Sequence, residues 1–260
     1  MIGAIIGDIV GSEYEFNNTN RYDFKMFGPK SCFTDDTVCS LAIAYALLIG
    51  GNRPSHFKEA LLEICPRYPY AGYGRMFFDW LFTDKEKKPY NSFGNGAAMR
   101  ISAVGWVAKS AREVKQLAHN ATCVTHNHPE GIKGASIVAM MIYLIRKGKD
   151  KAFLWKYATK YYNLNPSRFY KTKEHGAEIC QITVPQALHC FFVSESFEDC
   201  LRLAVSMGGD SDTLACIACA MAEAYYGVPE WMKEKCYEKL TPQLRDILKA
   251  FERQYCVVKK

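Results

Sequence analysis

Two short acidic stretches carry the residue types that chemistry needs. "GGDSDT" (Gly208–Thr213) sets Asp210 and Asp212 two positions apart, and "TDDT" (Thr34–Thr37) sets Asp35 beside Asp36. Each opens an apolar segment. Residues 34–44 read "TDDTVCSLAIA" and residues 212–220 read "DTLACIACA", so Asp36, Thr37, Val38, Leu41, Ala42 and Ala44 align with Asp212, Thr213, Leu214, Ile217, Ala218 and Ala220. Asp and Ser cap helix N-termini, and acids there complement the helix dipole by about 0.3–1 kcal/mol. Either cluster alone therefore reads as a helix start. If the two helices pack with their N-termini together, however, Asp35, Asp36, Asp210 and Asp212 converge. Four carboxylates in one cleft repel strongly unless cations lie between them. Thr34, Thr37, Ser211 and Thr213 add hydroxyl oxygens. An all-oxygen site with no evident Cys or His ligand suits Mg²⁺ or Mn²⁺ rather than Zn²⁺.

Three further stretches offer ligand contacts. "NSFGNGAAMR" (Asn91–Arg100) is a glycine-rich loop leading into a helix, an arrangement whose backbone N–H groups suit phosphate. "YPYAGYGR" (Tyr68–Arg75) is a turn with aromatics that could stack on a base, or an ordinary turn. "THNHPEG" (Thr125–Gly131) holds His126 and His128, and His126 reads as a substrate contact or a polar wall residue rather than a metal ligand. Near the N-terminus Gly3, Gly7 and Gly11 recur every four residues among Ile2, Ile5, Ile6, Ile9 and Val10. Each helical glycine costs about 1 kcal/mol relative to alanine, so the stripe implies another backbone packed closely against it. Asp8 then occupies a packed place, and Glu13 and Glu15 follow at the helix end.

The elements that must position these residues read as helices almost throughout. Segments near 37–49, 55–65, 111–123, 131–147, 151–162, 196–206, 212–226, 230–239 and 242–254 show helical spacing or apolar runs too long for typical strands. Ser196 with Asp199 makes a capping pair, and Thr241-Pro242 places a cap before a first-turn proline. Loops fall at 17–33, 66–74, 83–96, 127–130 and 163–174. Several helices lack a polar face and must be central. The expectation is one compact all-α domain over residues 1–260, an orthogonal helical bundle.

Bulk properties narrow the class. The 260 residues are 49% hydrophobic and carry a net charge of +6, with the excess scattered and partly terminal at Lys259 and Lys260. No dense basic block marks a nucleic-acid surface. Eleven cysteines lie mostly in apolar runs, and the C-x-x-C of Cys216 and Cys219 has neither a second pair nor a flanking His. They read as buried thiols in a reducing, cytoplasmic compartment. "MIGAIIG" lacks a basic leader, and no apolar stretch reaches the ~20 residues that span a bilayer.

In order along the chain, "GAIIGDIVGSEYE", "TDDT", "YGR", "SFGNGAAMR", "TH" and "GGDSDT" resemble the ADP-ribosylglycohydrolase family, of the dinitrogenase reductase-activating glycohydrolase type. The motifs cover roughly residues 3–220. The resemblance implies an all-α fold with two Mg²⁺ (or Mn²⁺) ions held by Thr34, Asp35 and Asp36 on one side and Asp210, Asp212 and Thr213 on the other, Asp212 bridging. It implies that Ser92, Phe93, Gly94 and Asn95 line an ADP-ribose path. Gly72, Tyr73 and Gly74 would flank the diphosphate or distal ribose, with His126 beside the ligand. The implied activity is hydrolysis of an ADP-ribosyl N- or O-glycosidic bond, with Glu15, Asp35 or Asp210 as the base. The implied partners are an ADP-ribosylated protein or other ADP-ribosyl substrate and the ADP-ribose product, with no membrane, for a chain acting as a monomer. Two other readings stay open: a non-catalytic ADP-ribose binder or crystallin-like structural relative, and a dinuclear phosphoesterase. The linkage cleaved is not encoded in these residues.

Overall fold

The computed structural model describes residues 1–165 and 178–256; most of the loop expected at 163–174, and Lys259 and Lys260, lie outside them. The described residues form helices and turns, with a single isolated β-bridge between Gly94 and Ile179. The helices are α1 (Ile2–Gly11), α2 (Asp35–Leu48), α3 (Pro54–Ile64), α4 (Arg75–Phe82), α5 (Gly96–Met99), α6 (Ser102–Val107) and α7 (Ala111–Thr122). There follow α8 (Pro129–Arg146), α9 (Lys151–Ala158), α10 (Cys180–Val193), α11 (Phe197–Met207), α12 (Ser211–Tyr226), α13 (Glu230–Lys239) and α14 (Pro242–Phe251). One continuous core runs through them.

The bundle is arranged around α12. Its residues from Ser211 to Glu223 are all buried, and so is every residue of α1. Helices α1, α8, α10 and α11 pack around α12, while α3, α6 and α14 pack around α2. The glycine stripe explains the closest of these contacts. A Cβ at Gly3 would sit 2.5 Å from the Cys219 carbonyl oxygen, one at Gly7 2.3 Å from that of Ala215, and one at Gly11 2.5 Å from Asp212 Cα. The partner numbers fall as the glycine numbers rise, so α1 and α12 are antiparallel. The C-terminal end of α1 therefore lies beside the N-terminal end of α12. Glu223, the lone charge in the apolar run of α12, pairs with the Met1 amino group and accepts the Gly3 N–H at 2.8 Å.

Local signals account for most boundaries. Thr34 caps α2, Ser110 caps α7, Ser196 caps α11 and Thr241 caps α14 through their side chains. Gly208 and Gly209, at φ 76° and 77°, make the tight left-handed turn between α11 and α12. Three differences from the sequence reading stand out. Helix α10 was not expected, because Pro185 lies inside it; an interior proline normally costs ~3 kcal/mol, but α10 is buried along most of its length. The short α4 and α6 offer too few turns for their period to show. Helix α9 stops at Ala158, and α14 gives way to a π-type turn over Glu252–Cys256.

The close approach of α1 to α12 makes a sharp prediction. Gly7→Ala should lower stability by about 1–3 kcal/mol, the usual cost of overpacking. Gly74, with nothing within 4 Å of its would-be Cβ, is the control, and its alanine variant should change stability by less than ~0.5 kcal/mol. Thermal melts of both variants decide it; equal melting temperatures would remove the close packing from the account.

Candidate active site

The acidic residues are brought together by Asp8. Its carboxylate, wholly buried in α1, accepts the Thr34 N–H at 2.9 Å, the Thr34 hydroxyl at 2.7 Å and the Thr37 N–H at 3.0 Å, as well as the Thr37 hydroxyl. One side chain thus satisfies free N–H groups of the first turn of α2 and fixes where α2 begins. Burial raises the Asp8 pKa to about 6 against the lowering effect of those hydrogen bonds. Since α1 also runs beside α12, both acid-bearing N-termini meet near its C-terminal end. A bond from Thr213 Oγ1 to Asp36 Oδ2, 3.0 Å long, joins the two helices directly. Asn18 clamps the turn before α12, accepting the Gly209 N–H at 2.6 Å and donating to its carbonyl at 3.0 Å.

A cavity of about 490 Å³ opens at this junction, lined among others by Glu15, Asp35, Asp36, Asp210, Asp212 and Thr213. Carboxylate oxygens of Glu15, Asp210 and Asp212 lie within 4.8 Å of one another. The crowding shows in their acidities. Burial first, then the Asp210 charge, pushes Glu15 up to about 7. Asp36 and Asp212 stand well above the usual carboxylate range, chiefly through burial and then through neighbouring carboxylates. Asp35 is raised too, by burial and then by Cys39, Asp8 and Asp210. Asp210 accepts from Asn95 Nδ2 at 2.6 Å, which ties the glycine-rich loop to the acids. Glu13 is turned elsewhere: its carboxylate takes the Ser31 hydroxyl at 3.0 Å and packs against Gly28.

The other predicted contacts divide. Gly72, Gly74, Ser92, Gly94, Asn95 and His126 line the cavity. Tyr73 does not bring its side chain there; its ring is buried and its hydroxyl donates to the Cys65 carbonyl at 2.8 Å, anchoring the turn from behind. Phe93 is 42% exposed and packs on His128 at 5.1 Å rather than lining the cavity. Thr34 faces Asp8, and its hydroxyl also accepts the Asp36 N–H at 3.3 Å. The expectation for the glycine-rich loop needs correcting. The Gly94 and Asn95 N–H groups already donate, to Ser92 Oγ at 3.1 Å and to the Glu178 carbonyl at 2.9 Å. The helix that follows, α5, is only four residues long. His126 is held by a Thr125 Oγ1–Nδ1 hydrogen bond of 2.8 Å, and burial followed by the Arg100 charge drives its pKa well below the usual value, so the ring is neutral at pH 7.

Sequence reasoning gave no role to Asp8, Tyr90 or Arg100, although Tyr90 and Arg100 line the cavity. The signal for Asp8 was its place as a lone charge among Gly7, Ile9 and Val10; for Arg100 it was a cation closing an otherwise apolar "GAAM" turn.

The residues fit a hard divalent cation. The donors at the acid cluster are oxygens, several are held close against their mutual repulsion, and the buried Asp36 Oδ1 has no hydrogen-bond partner. Such an arrangement is satisfied by positive charge between the carboxylates.

The raised pKa of Glu15 fixes the sign of its pH dependence. From its ordinary 4.5 to about 7 in the fold, Glu15 retains a proton that the unfolded chain has lost. Its contribution without cations therefore declines as pH rises through that window, and cation binding expels the proton. His126, shifted the other way, opposes this below its ordinary 6.5, so the comparison with Glu15→Gln isolates the acid. At pH 6.5, Mg²⁺ or Mn²⁺ binding should release protons, and Glu15→Gln should release fewer. Calorimetry in two buffers of different ionisation enthalpy measures this; buffer-independent heats for the wild type would contradict it.

A family model described as ADP-ribosylglycohydrolase matches residues 1–257. Among curated relatives, the ADP-ribosylhydrolase ARH3 of Homo sapiens is 24% identical over 97% of this chain and 93% of its own. The ADP-ribosyl-(dinitrogen reductase) glycohydrolase of Rhodospirillum rubrum is 26% identical, covering 88% of this chain and 85% of its own. The ADP-ribosylarginine hydrolase Tri1 of Pseudomonas putida (strain GB-1) is 24% identical over 95% and 76%. A solved structure described as an ADP-ribosylglycohydrolase-related protein complex shares the fold, with a TM-score of 0.74 at 24% identity over 97% of this chain and 95% of that one. No helix among the described residues is long and apolar enough to cross a membrane. A match over nearly the whole chain, on a fold that gathers the motif acids at one cavity, places this protein in the ADP-ribosylglycohydrolase family, and it is a hydrolase.

Proposed function

We propose that this chain removes ADP-ribose from a modified target by hydrolysing the bond between ribose C1 and a nitrogen or oxygen of that target, with two Mg²⁺ or Mn²⁺ ions as cofactors. The observation that carries the reading is the meeting of Glu15, Asp210 and Asp212 within 4.8 Å on a cavity that Asp35, Asp36 and Thr213 also line. The relatives named for action on ADP-ribosylarginine and on dinitrogen reductase support an ADP-ribosyl substrate. Asp35, Asp36, Asp210, Asp212 and Thr213 would hold the ions, with Thr34 contributing its remaining hydroxyl lone pair. When bound, the ions supply Lewis acidity and fix the ribose hydroxyls.

The chain's own residues would then divide the work. Water attacks ribose C1, the C1–N or C1–O bond breaks, and the leaving atom is protonated. Glu15 is the best placed to take the water's proton, because it is half-buried at the cavity wall with a pKa near neutrality. Asp35 and Asp210 are the alternative bases. Asn95 holds Asp210, and Gly72 and Gly74 line the cavity without side chains, which leaves room for the ligand. Neutral His126 serves as a wall and a hydrogen-bond partner, not as an acid.

Incubation of ADP-ribosylated protein with the enzyme and Mg²⁺ should release ADP-ribose. Release of AMP would point to a phosphoesterase, and no product across arginine, serine and nucleobase linkages would point to a non-catalytic relative. Glu15→Gln should keep ADP-ribose binding and lower single-turnover rates by about 10²–10⁴-fold. Near wild-type chemistry in that variant would move the base to Asp35 or Asp210.

A further inference from the structure

Helix α4 is apolar on the side it turns to solvent. A surface helix normally buries one apolar face and keeps the opposite face polar. Phe77, Trp80 and Leu81 are the buried face of α4. Arg75, Phe78, Asp79 and Phe82, spaced i, i+3, i+4 and i+7, form the opposite face, with Met76 beside Asp79. Met76, Phe78 and Phe82 are 52%, 42% and 40% exposed, and the Phe78 and Phe82 rings lie against each other with centroids 4.7 Å apart.

This face leads to the cavity. Arg75 and Met76 begin α4 and line the cavity while standing in solvent, so they belong to its mouth. Phe16, directly after Glu15, lines it too and is 92% exposed. Tyr70, two residues before the cavity-lining Gly72, is 98% exposed. Large apolar side chains gathered on one surface mark a contact site, whereas single ones are ordinary.

Charge narrows the class of partner. The Arg75 guanidinium pairs with Asp79 at 3.1 Å within the face. Beyond its far end, Lys87 Nζ is turned onto the Trp80 and Leu81 carbonyls, and Lys88 pairs with Glu86. Among the described residues the face is therefore electrically balanced. Nucleic acids and anionic bilayers are held by clustered basic groups, which it does not present. Aromatic residues, Met and Arg are instead what protein interfaces favour. A lasting pair of identical chains through this face would cover the cavity mouth of each, whereas a protein that arrives, reacts and leaves is not so limited.

We propose that the outer face of α4, with Phe16 and Tyr70, is a docking surface for the protein that carries the ADP-ribosyl group, taking apolar side chains next to the modified residue. The assignment rests on the proposed function for what enters the cavity. The surface itself rests on the exposed face, and Phe78 and Phe82 lie outside the cavity lining, so they report docking alone.

Peptides stand in for the protein surface. Each probe carries a single ADP-ribosylarginine, flanked in one by leucines and in the other by serines, and free ADP-ribose is the comparison. The sample is the full chain carrying Glu15→Gln, with Mg²⁺, so that the peptides are consumed slowly. Fluorescence anisotropy reads the peptides and calorimetry reads ADP-ribose. The leucine peptide should bind about tenfold or more tighter than the serine peptide. Adding Phe78→Ser with Phe82→Ser should remove that gain and keep ADP-ribose affinity within about twofold. Should that variant fail to fold, Phe82→Ser alone, at the last residue of α4, decides, with about a threefold loss of the gain expected. Equal affinity for the two peptides overturns the docking surface, as does a gain that survives the substitutions. Sedimentation showing a wild-type dimer that the substitutions dissociate gives the face to a second copy and overturns it too. Binding to phosphatidylcholine vesicles that the substitutions abolish does the same. If free ADP-ribose does not bind but the leucine gain is present and lost on substitution, the proposed function falls and the docking surface stands.

Discussion

The structure depends on one backbone contact, the antiparallel packing of α1 against α12. Three glycines remove the side chains that would hold the helices apart, and carbonyl oxygens of α12 occupy the space. The consequence is geometric. Whatever leaves the end of α1 must lie beside whatever begins α12. Glu15 leaves the one, through a single 3₁₀ turn over Ser12–Tyr14; Asp210 and Asp212 begin the other. The same helix fixes the third component from a different face, through the four hydrogen bonds of Asp8 to the start of α2. A ten-residue helix thus positions three acid-bearing segments that are far apart in the chain.

The buried charges fall into two kinds. Asp8 and Glu223 are saturated: each accepts from groups on its neighbours, and each holds elements in place. Asp36 and Arg100 are not: both residues line the cavity, and each keeps at least one buried polar atom without a hydrogen-bond partner. Buried polar atoms are normally paired because leaving them open costs about 1–3 kcal/mol. The same contrast separates Glu13 from Glu15. The first is tied to Ser31 and Gly28, and the second faces Asp210 and Asp212.

This distribution gives the cavity two electrostatic regions. One is crowded with carboxyls beyond what it can keep ionised unaided, the pKa values of Asp36 and Asp212 being driven well above the usual carboxylate range by burial and then by neighbouring carboxylates. The other holds a guanidinium and a neutral imidazole. Both regions are built on turns anchored from behind: Tyr73 to Cys65, Asn95 to Thr183 and Asp210, His126 to Thr125. Such anchoring holds the lining rigid, which is what a binding site on loops requires.

The amino-acid sequence was enough to read the helical class, most of the helix starts and the identity of the acids. Those properties are local: a cap, an apolar run and a glycine every four residues are visible within one turn or two. It also implied the close helix contact, because a glycine stripe costs stability unless something packs against it. It did not show α10, whose proline is outweighed by burial among residues distant in the chain, nor the short α4 and α6. It suggested that the glycine-rich loop offers its amides to a ligand; the tertiary structure decided otherwise, since the Asn95 amide pairs with Glu178, more than eighty residues away. The role of Asp8 was likewise decided only by the fold. Whether a buried charge is satisfied or left open depends on which partners arrive from elsewhere in the chain, and no local pattern records that.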